Sequence, residues 1–317
     1  MPSLPNEALL SLAPLQGLTD AAFRRIFMGR FPGWGRCYAP FIKGVEGPCA
    51  ASHFRDLSGQ AQAPFVVIPQ IVCNRPGELA DTAARLANMG FSELNLNFGC
   101  PFPMVARKRR GSGILPHPEL IDRLLGEGLP RCRLDISIKL RLGRESPEEA
   151  GSVLEVLNRY PIKELILHPR TGIQMYSGSP DLDAFAAFRA ASRHPVAYNG
   201  DILRAEDVLA LARRFPGLRH WMIGRGALGN PFLPLELRSQ PPQPEARRSA
   251  LAGFHAEYLR VKVARLGRTR QLLDLLKALW ALMARALPGG DEFLVRLRRS
   301  KDMDDYEAVL VSFLGSA

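Results

Sequence analysis

Eight short apolar, strand-like runs recur along the 317-residue chain with helical stretches between them, and this alternation constrains the fold more than any other feature. The runs are residues 9–15, 37–42, 65–71, 93–97, 134–140, 164–168, 195–199 and 220–223. Several are β-branched and nearly continuous, as strands buried on both faces must be. Residues 78–89, 146–160 and 205–215 place apolar and alanine residues at i, i+3, i+4 spacing and are expected to be helices. Strands alternating with helices predict a parallel sheet, and eight of them predict an α/β fold of the (β/α)8 TIM-barrel type.

The strand ends favour a barrel over an open sheet. Gln16-Gly17 and Thr19-Asp20 follow the first run, Gln70 closes the third, and Asn97-Phe98-Gly99-Cys100-Pro101 ends the fourth. Lys139-Leu140-Arg141, His168-Pro169-Arg170-Thr171, Asn199-Gly200-Asp201 and Gly224-Arg225-Gly226 end the next four. Barrel active sites are built at the C-terminal ends of the strands. Near residues 239–245 the composition shifts to Gln-Pro-Pro-Gln-Pro-Glu, a linker signature. The expected organisation is therefore a barrel over residues 1–240 and a smaller helical C-terminal domain over 245–317, broken at Pro288-Gly289-Gly290.

Forty-two Lys and Arg against thirty-one Asp and Glu give a net charge of +11, which fits either a polyanionic partner or a generally Arg-rich composition. The exposed-looking run Arg107, Lys108, Arg109 and Arg110 beside Cys100 is placed to hold a phosphodiester backbone. Two further basic stretches, Arg260, Lys262, Arg265, Arg268 and Arg270, then Arg296, Arg298 and Arg299, lie in the tail. The five cysteines, Cys37, Cys49, Cys73, Cys100 and Cys132, are odd in number and form no Cys-x-x-Cys pair, which argues against a disulfide framework and a zinc site and for a reducing cytoplasm. No apolar run is long enough to cross a bilayer, and residues 1–15 read as a first strand and not as a signal peptide.

Candidate chemistry gathers at the strand ends. Asn199-Gly200-Asp201 and Gly224-Arg225-Gly226 stand where barrels often bind a phosphate, although a Gly-x-Gly is also an ordinary turn. Gln70 has an amide that both donates and accepts, suited to the uracil-like edge of a flavin, or it is simply satisfied by loop backbone. Lys139 and Arg141 lie two apart on one strand and so face one side, and His168 and Arg170 repeat the spacing. Cations inside a barrel are costly unless paired or used. Cys100 sits after Gly99 at a strand end, and a thiol with a reference pKa of about 8.5 can donate a proton without retuning.

Taken in order, these segments resemble the tRNA-dihydrouridine synthase family. The matching pieces are Ala13-Pro14-Leu15-Gln16-Gly17-Leu18-Thr19-Asp20 with Phe23-Arg24, then Gln70, Asn95-Leu96-Asn97-Phe98-Gly99-Cys100-Pro101, Lys139-Leu140-Arg141-Leu142-Gly143, His168-Pro169-Arg170-Thr171, Asn199-Gly200-Asp201-Ile202 and Gly224-Arg225-Gly226-Ala227. The resemblance implies an FMN-bound barrel, reduced by NADPH, that saturates the C5–C6 bond of selected uridines in tRNA, with Cys100 protonating C5. It places Pro14, Gln70, Lys139, His168, Asn199, Asp201, Gly224 and Arg225 at the flavin, and Asn97, Arg141 and Arg170 at the substrate, with His168 also near the uracil. The chain carries no Gly-x-Gly-x-x-Gly fingerprint, which fits a nicotinamide that visits the flavin face in turn. It implies a cytoplasmic enzyme without metal or membrane anchor, expected as a monomer. Phe102-Pro103-Met104 replaces the family's usual small hydroxyl and basic pair, and Pro169 replaces a common Gly. These departures mark a subgroup with a different tRNA site or a different RNA. Two rival readings are a flavin barrel acting on a free pyrimidine, like dihydroorotate dehydrogenase, and a non-catalytic RNA-binding protein on the same scaffold.

Overall fold

The computed structural model describes residues 8–315. The part of the N-terminal expectation that covers residues 1–7, and the last two residues of the helical tail, lie outside them. Ten strands are described: β1 Leu9–Leu12, β2 Arg36–Tyr38, β3 Ile42–Lys43, β4 Val66–Ile68, β5 Gln70–Val72, β6 Glu93–Phe98, β7 Asp135–Gly143, β8 Glu164–Thr171, β9 Val196–Asn199 and β10 His220–Ile223. All pair in parallel, in the order β3-β5-β6-β7-β8-β9-β10-β1-β2-β4.

Ten strands make eight staves because two staves are interrupted. β2 pairs with β4, and β3 pairs with β5, so the second and third staves meet in two steps. Pro40 and Pro69 stand at the breaks. Proline has no N–H for the ladder, so each run expected as one strand, residues 37–42 and 65–71, splits there. Pairing of β1 with both β10 and β2 closes the ring. The expected helices appear as Pro76–Asn88, Glu149–Leu157 and Ala205–Arg214.

Side chains along each strand alternate between two surroundings, as a pleat requires. Leu94, Leu96, Phe98, Ile138, Leu140, Leu165 and Leu167 face outward into a large apolar cluster shared with the helices. Inside the ring the apolar filling is small, comprising Ala13, Tyr38, Ile68, Ile166, Ala197 and Met222. The remaining inward positions are polar. Barrels usually fill this space with branched aliphatics, so a polar lumen is the first sign of a ligand-directed interior.

After the Pro-rich stretch, Pro244–Leu266, Arg270–Met283, Gly290–Arg299 and Met303–Leu314 form the helical tail, with the expected break at Gly289, whose φ is +80°. It is welded to the barrel by aromatics. Phe254 meets Phe23 and Phe31 at centroid distances of 5.4 and 5.7 Å, and Tyr258 meets Phe23 at 6.0 Å. Lys262, buried, pairs with Asp20, whose other oxygen caps helix Ala21–Arg30 at Phe23 N–H.

Candidate active site at the C-terminal mouth of the barrel

A cavity of about 270 Å3 opens at the C-terminal ends of the strands. Pro14, Gln70, Asn97, Cys100, Lys139, Arg141, His168, Asn199, Asp201, Gly224 and Arg225 all line it. Arg170, expected beside the substrate, does not line it. The ladder between β7 and β8 shifts register after Arg141 opposite His168. Such a bulge inserts one residue and breaks the two-residue parity, so Arg170 leaves the lumen column. It is 1% exposed and binds Asp201, the carbonyls of Ser177 and Gly178, and His168 Nε2 at 3.1 Å. A guanidinium only donates, so His168 Nε2 accepts and the ring proton sits on Nδ1.

The cations set the electrostatics. Lys139 makes no hydrogen bond or salt bridge among the described residues, and burial together with Arg141 pulls it down to about 7. Burial also lowers Arg141 to about 10; its Nε and Nη1 are held by the carbonyls of Gly99 at 3.0 Å and Thr171 at 2.7 Å. Burial and the neighbouring Lys139, Arg141, Arg170 and Arg225 push His168 well below its usual value, so it is neutral. The one acid in the lining, Asp201, is bound by Arg170 and by Arg225 at 3.2 Å. Its backbone is at φ +33°, a left-handed conformation that a non-glycine residue adopts only where its surroundings impose it. With its carboxylate so engaged, Asp201 braces Arg225 and offers no free oxygen to repel a phosphate.

Cys100 is held by its backbone. Its N–H donates to Asn97 Oδ1 at 2.8 Å, and its carbonyl accepts from Ser112 N–H at 2.9 Å. Gly111, at φ +57°, passes so close that a Cβ there would lie 2.7 Å from the Cys100 carbonyl oxygen. Although it stands at a strand end on the cavity wall, Cys100 is only 7% exposed. Burial pushes it up, keeping the proton on, while the Phe102 N–H, Arg141 and Lys139 pull the other way.

Sequence reasoning missed Tyr176. Its ring lies 4.8 Å from the Arg225 guanidinium carbon and 5.5 Å from that of Arg141, and it lines the cavity. An isolated aromatic in a loop has no spacing that announces it. The tail cluster expected to meet RNA is largely spent within the molecule. Lys262 and Arg265 face Asp20, Arg268 pairs with Asp304 and Glu307, and Arg270 with Asp274. Arg110 is likewise bound to Glu78. Arg107, Lys108 and Arg109 are exposed and make no salt bridge among the described residues, and the same holds for Arg204 and Arg285 in a groove running from the mouth toward the tail.

A closed parallel barrel whose mouth gathers Lys139, Arg141, a neutral histidine and a buried thiol has the architecture of a barrel enzyme. Solved structures of that architecture include histamine dehydrogenase from Rhizobium sp. 4-9, at 12% identity and TM-score 0.56 over 79% of this chain and 49% of that one. The old yellow enzyme homologue from Zymomonas mobilis gives 13% and 0.54 over 74% and 89%. The dihydrouridine synthase family profile matches residues 11–313, and the chain belongs to that family of flavin-dependent oxidoreductases. It is similar to the tRNA-dihydrouridine(16) synthase of Ralstonia nicotianae, at 29% identity over 95% of this chain and 94% of that one. It also resembles the probable tRNA-dihydrouridine synthase of Rhodobacter capsulatus, at 31% over 73% and 71%. No metal-binding cluster of His, Cys, Asp and Glu occurs among the described residues, and no helix of the described residues is long and apolar enough to cross a membrane.

Proposed function

We propose that this protein reduces the C5–C6 double bond of a uridine in tRNA, with FMN in the barrel mouth and NADPH as reductant. The observation that carries the reading is a clamped, protonated Cys100 in one cavity with an unpaired Lys139. The residues present fit the cofactor. A cavity holding Lys139, Arg141 and Arg225, whose one acid is already engaged, calls for an anion. Gly224, Arg225 and Gly226 line the same wall, where the Arg225 guanidinium could meet a phosphate. FMN bound here would supply the hydride for uridine reduction.

The chain's own residues complete the reaction. Cys100 gives its proton to C5, closing the balance of one hydride and one proton added across the double bond. Arg141 and Lys139 lower the cost of the thiolate left behind, and solvent restores the proton. Gln70 and Asn97 offer amides to the pyrimidine edges, and Arg170 acts one step back by fixing His168 and Asp201. The target base must leave its stack to enter. Phe102, 49% exposed at the cavity rim, offers a ring for a neighbouring base. The uridine proposed is the one at position 16, because the relatives aligned over nearly the whole of both chains carry that name.

Two measurements test the reading. Denatured holoprotein releases FMN, and tRNA from cells lacking the gene loses dihydrouridine at position 16 alone; FAD, or an unchanged modification map, refutes it. Affinity for tRNA falls with salt because each phosphate contact releases counterions. Changing Arg107, Lys108 and Arg109 to Gln lowers the log–log salt slope by about 2–3. An equal drop on changing Arg268 and Arg270 instead would mean that their internal ion pairs open on binding.

A further inference from the structure

A single file of hydrogen bonds climbs through the barrel lumen to the Cys100 loop. Glu93, Asn95 and Asn97 project inward from β6 at two-residue intervals. Ser137 from β7 and Gln70 from β5 complete the file. Asn97 Oδ1 accepts from the N–H groups of Gly99 at 3.1 Å and Cys100 at 2.8 Å. Asn97 Nδ2 donates to Gln70 Oε1 at 2.7 Å, and Gln70 Nε2 donates to Asn95 Oδ1 at 2.7 Å. Asn95 Nδ2 donates to Ser137 Oγ at 2.9 Å, and Ser137 donates to Glu93 Oε1 at 2.8 Å. Glu93 Oε2 rests on Lys163 Nζ at 2.8 Å at the base of the barrel.

Every bond points the same way, and both ends demand that direction. The backbone N–H groups at the top only donate. The carboxylate at the bottom, held by a lysine ammonium, only accepts. The amides and the hydroxyl between them are symmetric enough to run either way, so their sense is set by the termini. All of these side chains are buried, and a reversed amide would leave two donors or two acceptors facing each other without water to relieve them.

We infer that Glu93 is a positioning residue for the reaction: by ending the file on an obligate acceptor, it fixes which way Gln70 and Asn97 present their amides to the cavity and holds the Cys100 loop from about 13 Å below. Its part in catalysis rests on the roles given above to Gln70, Asn97 and Cys100. Its hold on the loop does not, and the two are measured separately.

Glu93→Gln keeps the size and replaces the obligate acceptor with a group that can also donate. Peptide-resolved amide hydrogen exchange on the whole protein is expected to show Gly99 and Cys100 exchanging on the order of tenfold faster, with helix Pro244–Leu266 unchanged. Ser137→Ala cuts the same file one step higher and produces the same local effect; it carries the test by itself if Glu93→Gln does not fold. In the double variant the second change adds nothing. With FMN saturating, kcat for uridine reduction falls about tenfold and KM for tRNA is unchanged. Unaltered exchange at Gly99 and Cys100, acceleration spread evenly over the protein, or full additivity of the two changes would each overturn the inference. If the wild-type chain reduced no uridine, the exchange data would still decide the file.

Discussion

Cys100→Ala is expected to slow uridine reduction by about 10²–10⁴-fold, the usual worth of a general acid, while NADPH bleaches the holoenzyme at close to its normal rate. Hydride arriving at C6 builds charge toward C5, and without the thiol the clamped proton donor of the cavity is lost. The burial of Cys100 sharpens the expectation. Burial raises the thiol and so keeps the proton in place at neutral pH, whereas a nucleophilic cysteine would need it lowered. Cys100→Ser recovers little, because a hydroxyl is a far weaker acid than a thiol. Anaerobic single-turnover rates separate the two half-reactions. A variant slow with NADPH but normal with tRNA would make Cys100 a flavin-side residue and remove the proposed acid.

The second large effect belongs to Lys139. A lysine held at about 7 must take up a proton to meet an anionic flavin, so FMN affinity falls by up to tenfold per pH unit above about 7. Lys139→Met removes that dependence and weakens binding about 10–100-fold at pH 6.5, the worth of a hydrogen bond to a charged group. The flavin-free protein shows the linked effect with a definite sign. Its folded-state lysine lies below the unfolded value of 10.5, so between about 7 and 10.5 the unfolded chain binds more protons and stability rises with pH. Titration calorimetry and thermal unfolding across that window check both. Equal pH slopes in wild type and Lys139→Met would remove Lys139 from the flavin site.

The alternation of runs and helices was enough to read the barrel, because strands covered on both faces leave continuous apolar signals. The cavity lining was legible for a related reason: strand ends in a barrel converge, so residues far apart in sequence needed only the fold to bring them together. What stayed hidden depended on local departures from regular geometry. Pro40 and Pro69 cut two staves that look continuous in sequence. The bulge beyond His168 turned Arg170 away from the cavity although the two residues are spaced like Lys139 and Arg141. The tail arginines read as a free basic surface because their acidic partners, Asp20, Asp304 and Glu307, are distant in sequence. Glu93 gave no signal, since its importance lies in being the end of a chain of contacts that crosses three strands.

The contact between Lys262 and Asp20 ties the fate of the two halves of the molecule together. Asp20 caps the helix that follows Leu15 and Gln16, and those two residues form part of the cavity wall. Removing the tail would uncover Phe23, Phe27 and Phe31 and strip the cap of its cation in the same stroke. A barrel cut free of the tail would therefore carry an exposed aromatic face beside its own cavity. Whatever alters the tail thereby reaches the chamber, so a change made in one half of the molecule is felt in the other.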